Sequence, residues 1–135
     1  MTAGRKIVLI GPMGAGKTSL GRRLATRLRW EFTDTDHALC ARTGVDIPTI
    51  FAAEGEAGFR KREHDVLADI LAEPRDMVVA CGGGIVLKAE NRRLIAGQFL
   101  VVFLDVSVRR QILRIGRDRN RPLVQEAENL LAKLE

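Results

Sequence analysis

Apolar positions along this chain follow two rhythms that alternate. Near-continuous aliphatic runs occur at Lys6–Ile10, Met77–Ala80 and Phe99–Leu104. Unbroken apolarity over so short a span is expected of strands buried on both faces, as in the middle of a parallel sheet. Glu31–Thr33 predicts a shorter strand between the first two. The intervening segments repeat at helical spacing. Lys17–Leu28 places Leu20, Leu24 and Leu28 on one stripe, with Arg22, Arg23 and Arg27 turned elsewhere. His37–Arg42 predicts a short helix stopped by Gly44. Asp46 can cap the next helix, whose first turn tolerates Pro48 and whose apolar face is Ile47, Ile50 and Phe51. A longer helix is predicted from about Glu56 to Ala72, with Phe59, Val66, Leu67, Ile70 and Leu71 inward and Pro74 closing it. Ala89–Ile95 predicts another. A helix from Ser107 is predicted to lead into an Arg-rich stretch, and Gln125–Leu134 to form a last amphipathic helix. Strands alternating with helices predict an α/β fold built on a parallel sheet.

No repeat, linker or low-complexity segment interrupts this order, so residues 1–135 are expected to form one domain. The longest apolar run is far too short to cross a bilayer, and the polar lead Met1–Lys6 is not followed by a signal-peptide core. Cys40 and Cys81 lie among apolar residues without metal-ligand spacing, which predicts reduced, packed thiols and a cytoplasmic protein. The net charge of +5 fits either a nucleic-acid face or a basic pocket for small polyanions. Six of the thirteen residues from Arg109 to Arg121 are arginine, but the chain has no Tyr, one Trp and five Phe, most of those embedded in apolar runs. Platforms for stacked bases are therefore poorly supplied, and the pocket reading is preferred over nucleic acid.

The pocket has a visible floor. Gly11-Pro-Met-Gly-Ala-Gly-Lys17-Thr18 has the spacing of a P-loop and lies between a buried strand and a helix. Backbone N–H groups in such a loop, with the helix N-terminus behind them, gather around phosphates. Lys17 is placed to reach β- and γ-phosphate oxygens, and the Thr18 hydroxyl to ligate Mg2+. A strand-ending acid usually completes the site, and two segments offer one: Asp105 after the fourth strand, and Asp34-Thr35-Asp36 after the second. Periodicity does not choose between them. If the doublet is extended, its carboxylates point the same way, one toward a metal's water shell and one toward a substrate hydroxyl. Simple capping of the following helix is the alternative.

Arg60 and Glu63, three apart on a helix, are neighbours on one face, so Glu63 can brace Arg60 as a clamp for a carboxylate or phosphate. Spacing alone favours the blander outcome, a solvated surface pair. Gly82-Gly83-Gly84 after the third strand predicts close backbone approach to a ligand, with a flexible turn as the alternative. Arg117-Asp-Arg-Asn-Arg121-Pro122 predicts a mobile lid, over about 109–124, carrying an arginine toward the transferred phosphoryl group. His37 and His64, among charged residues, are expected at solvated surface positions.

Taken in order, these motifs resemble shikimate kinase. The similar pieces are the P-loop at 11–18, Asp-Thr-Asp at 34–36, Ile-Phe-Ala-Ala-Glu-Gly-Glu at 50–56, Phe-Arg-Lys-Arg-Glu at 59–63, Gly-Gly-Gly at 82–84 and Arg-Pro-Leu at 121–123. The resemblance implies a three-layer αβα fold with sheet order 2-3-1-4-5, and transfer of the γ-phosphoryl of ATP to the 3-hydroxyl of shikimate, in aromatic amino-acid synthesis. Carried onto matching positions, Gly14, Ala15, Gly16, Lys17, Thr18 and Ser19 would contact the nucleotide. Thr18 and Asp34 would serve Mg2+, and Arg114 would lie against adenine. Asp36, Arg60, Gly82 and Gly83 would bind shikimate, with Asp36 as base and Glu63 behind Arg60. Lys17, Asp36 and Arg121 would form the catalytic set. Family members usually continue for some tens of residues past Glu135, where a second carboxylate-clamping Arg and the fifth strand would lie. The corresponding expectations are a sheet without that strand, and a monomer with an exposed fourth-strand edge open to dimerisation. Nucleotide binding would be kept in part, and shikimate affinity weakened. Competing readings are a non-catalytic nucleotide-binding relative and another small-metabolite P-loop kinase.

Overall fold

The protein is described by a computed structural model covering residues 4–12 and 16–104 and the backbone of 110–113. Its elements in chain order are β1 (Lys6–Ile10), α1 (Lys17–Leu28), β2 (Glu31–Asp34), α2 (Thr35–Thr43), α3 (Ile47–Ala72), β3 (Met77–Ala80), a 3₁₀ turn (Ile85–Leu87), α4 (Ala89–Ala96), β4 (Leu100–Leu104) and β5 (Arg110–Leu113). One sheet joins the strands in the order β2-β3-β1-β4-β5. The first four are mutually parallel. Their carboxyl ends therefore share one rim, the side of an open α/β sheet where ligands bind.

Alternation along the strands builds the layers. In β1, Ile7 and Leu9 pack with Leu20 and Leu24 of α1 on one face of the sheet. Val8 and Ile10 join Phe59, Leu67 and Leu71 of α3 and Ile95 of α4 on the other. Both faces are covered, which explains why the strands read as continuous apolar runs. Lys6, fully buried at the base of β1, is the one charged residue in that run; its Nζ donates to the carbonyls of Gly4, Glu73 and Arg75 at 2.8–3.1 Å. No helix among the described residues is long and apolar enough to cross a membrane.

The helix boundaries follow the caps expected of them. Asp34 accepts from the amides of Asp36 and His37 at the start of α2, and Asp46 does the same for Thr49 at the start of α3. Within α3, Gly55 adopts φ 72° and ψ −178°, a conformation that interrupts the helix and that a side chain would resist. The two helices expected on either side of residue 55 are thus joined at a kink.

The end of the sheet departs from expectation. Arg110–Leu113 is not helical but pairs antiparallel with β4, from Leu104↔Arg110 to Val101↔Leu113. The fifth place in the order is filled, and the fourth strand is not an exposed edge. Unpaired N–H and C=O groups along β4 reward any extended neighbour, and tertiary pairing of this kind overrides a weak local helical pattern. The expected helix at Gln125–Leu134 and most of the expected lid lie outside the described residues.

Candidate active site

The phosphate cradle begins where β1 runs out. Gly11 has φ 143°, and a Cβ there would lie 1.9 Å from the Leu104 carbonyl oxygen, so only glycine lets the loop pass the end of β4. Gly14 and Ala15 lie outside the described residues, while Gly16 caps α1. Lys17 Nζ folds back to donate to the carbonyls of Gly11 (2.6 Å) and Pro12 (2.8 Å). Burial lowers its pKa, against the opposing pull of Cys81, Asp34 and Asp36. The amine is thus held against the carbonyls that follow β1.

Beside it, Thr18 Oγ1 donates to Asp34 Oδ2 at 3.3 Å. Asp34 Oδ1 meanwhile accepts from the amides of Asp36 (2.9 Å) and His37 (3.2 Å). Capping and site chemistry are therefore not alternatives for this residue, since each carboxylate oxygen does one. A hydroxyl and a carboxylate oxygen at this distance are the hard donors that Mg2+ takes, directly or through water. The doublet is not extended, however. Asp34 ends β2 and Asp36 lies in the first turn of α2, so it is the strand-to-helix turn that brings both carboxylates to one cavity of about 310 Å³, shared with Lys17, Thr18, Ser19 and Gly82.

A second cavity, of about 530 Å³, adjoins the first. Its apolar wall is Ile47, Phe51 and Phe59, with the two rings 4.7 Å apart, and its polar end is Arg60 with Glu63. Asp36, Gly82 and Gly83 line both cavities. Arg60 Nη1 donates to Glu63 Oε1 at 3.0 Å, and the Glu63 side chain is only 2% exposed. The solvated surface pair favoured by spacing is thus not what forms, because this face of α3 turns into the cleft. Arg60 Nε is buried without a hydrogen-bond partner, and the nearer carboxylate oxygen, on Glu56, is 3.6 Å away. The braced guanidinium lines this cavity, and a guanidinium so held can clamp an anionic ligand. Burial raises the Glu63 pKa, and Arg60 opposes the rise. Burial also raises the Asp36 pKa, and the nearby Asp34 adds to it, while Lys17 and Arg60 pull the other way.

The glycine run has a reason that composition did not reveal. A Cβ on Gly82 would stand 2.6 Å from Asp36 Oδ1, and one on Gly84 would stand 2.4 Å from Arg60 Nη1. These glycines make room for the site's own side chains. The Gly82 amide donates to Thr35 Oγ1 at 3.0 Å and its carbonyl accepts from Ile85 N at 3.1 Å, so both of its backbone groups are engaged within the protein. Thr35, buried between the two aspartates, was missed from the sequence; its position inside the acidic doublet was the available signal. His37 is exposed as expected, whereas His64 is half-buried and bonded to Asn91. Both cysteines are free, and burial raises the pKa of the Cys81 thiol far above its usual range. Asp105, Arg114 and Arg121 lie outside the described residues.

Comparisons with known proteins agree with this geometry. The family model described as shikimate kinase matches residues 13–135. The shikimate kinase of Methylococcus capsulatus is 53% identical over 131 residues, which are 97% of this chain and 72% of that protein. That of Thioalkalivibrio sulfidiphilus is 52% identical over 135 residues, all of this chain and 70% of that protein. Among solved structures, a shikimate kinase from Acinetobacter baumannii in complex with shikimate superposes with a TM-score of 0.73 at 40% identity, covering 97% of this chain and 76% of that one.

Proposed function

The chain belongs to the shikimate kinase family, a family of phosphotransferases, and on that premise we propose that it moves the γ-phosphoryl group of ATP to the 3-hydroxyl of shikimate. The observation that carries the proposal is the place of Asp36, on the wall common to the phosphate cavity and the acceptor cavity. An acceptor hydroxyl at that carboxylate faces the γ-phosphoryl group in line, and positioning of this kind is most of what phosphoryl transfer asks of a protein.

Lys17 exchanges its loop carbonyls for β- and γ-phosphate oxygens. Thr18 and, through water, Asp34 are the residues that would hold Mg2+, which when bound neutralises charge on the β- and γ-phosphates. Arg60, held by Glu63 at the polar end of the acceptor cavity, takes the shikimate carboxylate, and the ring lies along Phe51 and Phe59. Asp36 then accepts the hydroxyl proton as the new O–P bond forms. The bond from the γ-phosphorus to the bridging oxygen breaks, and its electron pair leaves with ADP. The raised pKa of Asp36 makes it a stronger base than an ordinary carboxylate. Arg121 closing over the phosphoryl group and Arg114 against adenine complete the assignment, and the free cysteines fit a reducing, cytoplasmic setting.

Phosphorus NMR of a reaction with ATP, Mg2+ and shikimate tests the reading, beside parallel reactions with gluconate and with a nucleoside monophosphate. A new phosphomonoester with shikimate alone is the expected result. Phosphorylation of either competitor in preference to shikimate would move the protein to a different P-loop kinase activity.

The glycine run supplies a further prediction. Gly84 has φ −94°, which any residue adopts, so Gly84→Ala should fold. Its methyl group would displace the Arg60 guanidinium. The KM for shikimate is expected to rise about tenfold, the loss of one charge-assisted hydrogen bond, with the KM for ATP unchanged. Steady-state kinetics with each substrate varied in turn checks it.

A further inference from the structure

One contact chain lies outside both cavities and is not used by the chemistry above. Asn91 in α4 is 1% exposed, and its side chain is fully engaged in one direction: Nδ2 donates to the Ile85 carbonyl at 2.9 Å. That donation leaves Oδ1 as an acceptor, and His64 Nδ1 lies 2.7 Å from it. His64 must therefore carry its proton on Nδ1. The Ile85 carbonyl begins the 3₁₀ turn that follows the glycine run, and the Ile85 amide itself donates to the Gly82 carbonyl. His64 immediately follows Glu63, the brace of Arg60.

The turn is thus tethered at both ends. At one end the Gly82 amide donates to Thr35, which sits between the two aspartates. At the other, Asn91 and His64 tie Ile85 to the helix that carries Arg60. The glycine backbone lies close to both site residues, since a Cβ on Gly82 or Gly84 would press on the Asp36 carboxylate or the Arg60 guanidinium. A shift of the turn would therefore change the space in which those two side chains sit. Close-packed protein interiors transmit such shifts.

We infer that His64 and Asn91 are a positioning pair that holds the Gly82–Ile85 turn against Asp36 and Arg60, and so sets affinity for the acceptor without lining its cavity. The inference rests on the assignment of that cavity to shikimate.

Two substitutions separate this from a general packing role. His64→Phe keeps a ring of similar shape but has no donor, which leaves the buried Asn91 oxygen unpaired. His64→Asn restores an amide N–H near the position of Nδ1. A third, Asn91→Asp, keeps the acceptor toward His64 but turns a carboxylate oxygen on the Ile85 carbonyl. The expected results are a rise of about five- to tenfold in the KM for shikimate for His64→Phe and Asn91→Asp, from one buried polar group left unsatisfied. The KM for ATP should stay within about twofold, and His64→Asn should recover most of the loss. Amide hydrogen exchange over residues 82–87 should quicken in His64→Phe and return toward the parent rate in His64→Asn. Equal changes in both KM values, an unchanged KM for shikimate, or no rescue by asparagine would overturn the inference. If the parent protein does not phosphorylate shikimate, the function above fails instead, and exchange alone decides the tether: unchanged protection over 82–87 in His64→Phe overturns it, and lost protection supports it.

Discussion

Replacing Asp36 by asparagine is expected to lower kcat by about a thousandfold, within the range removed when a positioned general base is lost, while the KM for ATP changes little. Asparagine keeps the shape of the side chain and still fits beside Gly82, but it accepts no proton. The pH profile of the parent should carry the signature of the same residue. Because burial and Asp34 raise the Asp36 pKa, activity should fall on the acid side at a higher pH than an ordinary carboxylate would give, as the base becomes protonated. The stability consequence has the opposite sign. A carboxyl whose folded pKa is raised costs stability as pH rises through the window from its unfolded to its folded pKa. Asp36→Asn removes that cost, so at neutral pH the variant should denature at the same or a higher urea concentration than the parent. A variant that lost activity and stability together would point to a structural rather than a chemical role.

Arg60→Ala should have the next largest effect, and it divides into two parts. Losing the guanidinium at the polar end of the acceptor cavity is expected to raise the KM for shikimate about a hundredfold, the upper end of what hydrogen bonds to charged groups contribute. The second part falls on Glu63, left in a buried place without its partner. Removing one member of a buried pair costs about 3 kcal/mol. Glu63 already has a raised pKa through burial, and losing Arg60 raises it further. The stability deficit should therefore be small near pH 4.5 and grow as pH rises through the raised pKa. Urea denaturation at several pH values checks this. The double variant Arg60→Ala, Glu63→Gln should recover stability at neutral pH but none of the affinity for shikimate, which separates the fold from the binding.

Much of this molecule was legible in the sequence because its signals are local. Apolar runs that need cover on both faces, caps at Asp46 and Gly44, and a P-loop between strand and helix depend on neighbours a few residues away. What stayed hidden depends on residues far apart in the chain. Spacing places Arg60 and Glu63 together but does not say which way that face of α3 turns, so their burial emerged only from the packing. The glycine run could be read as an approach to something, yet the something is Asp36 and Arg60, 46 and 24 residues earlier than the glycines they press on. The same limit hides the Thr35–Gly82 bond and the His64–Asn91 contact, whose partners lie 47 and 27 residues apart in the chain. Arg110–Leu113 is a converse case, in which the edge of β4 decides the conformation of a segment whose own periodicity suggested a helix.

The most direct measurement is ADP release with ATP and Mg2+, with and without shikimate, for the parent protein and for Lys17→Ala. Phosphoryl transfer across the wall that holds Asp36 predicts ADP release that depends on shikimate and disappears in Lys17→Ala. ADP release at the same rate without shikimate would mean that the two cavities are not coupled. No release despite bound ATP would mean that the chain binds nucleotide without catalysing the transfer.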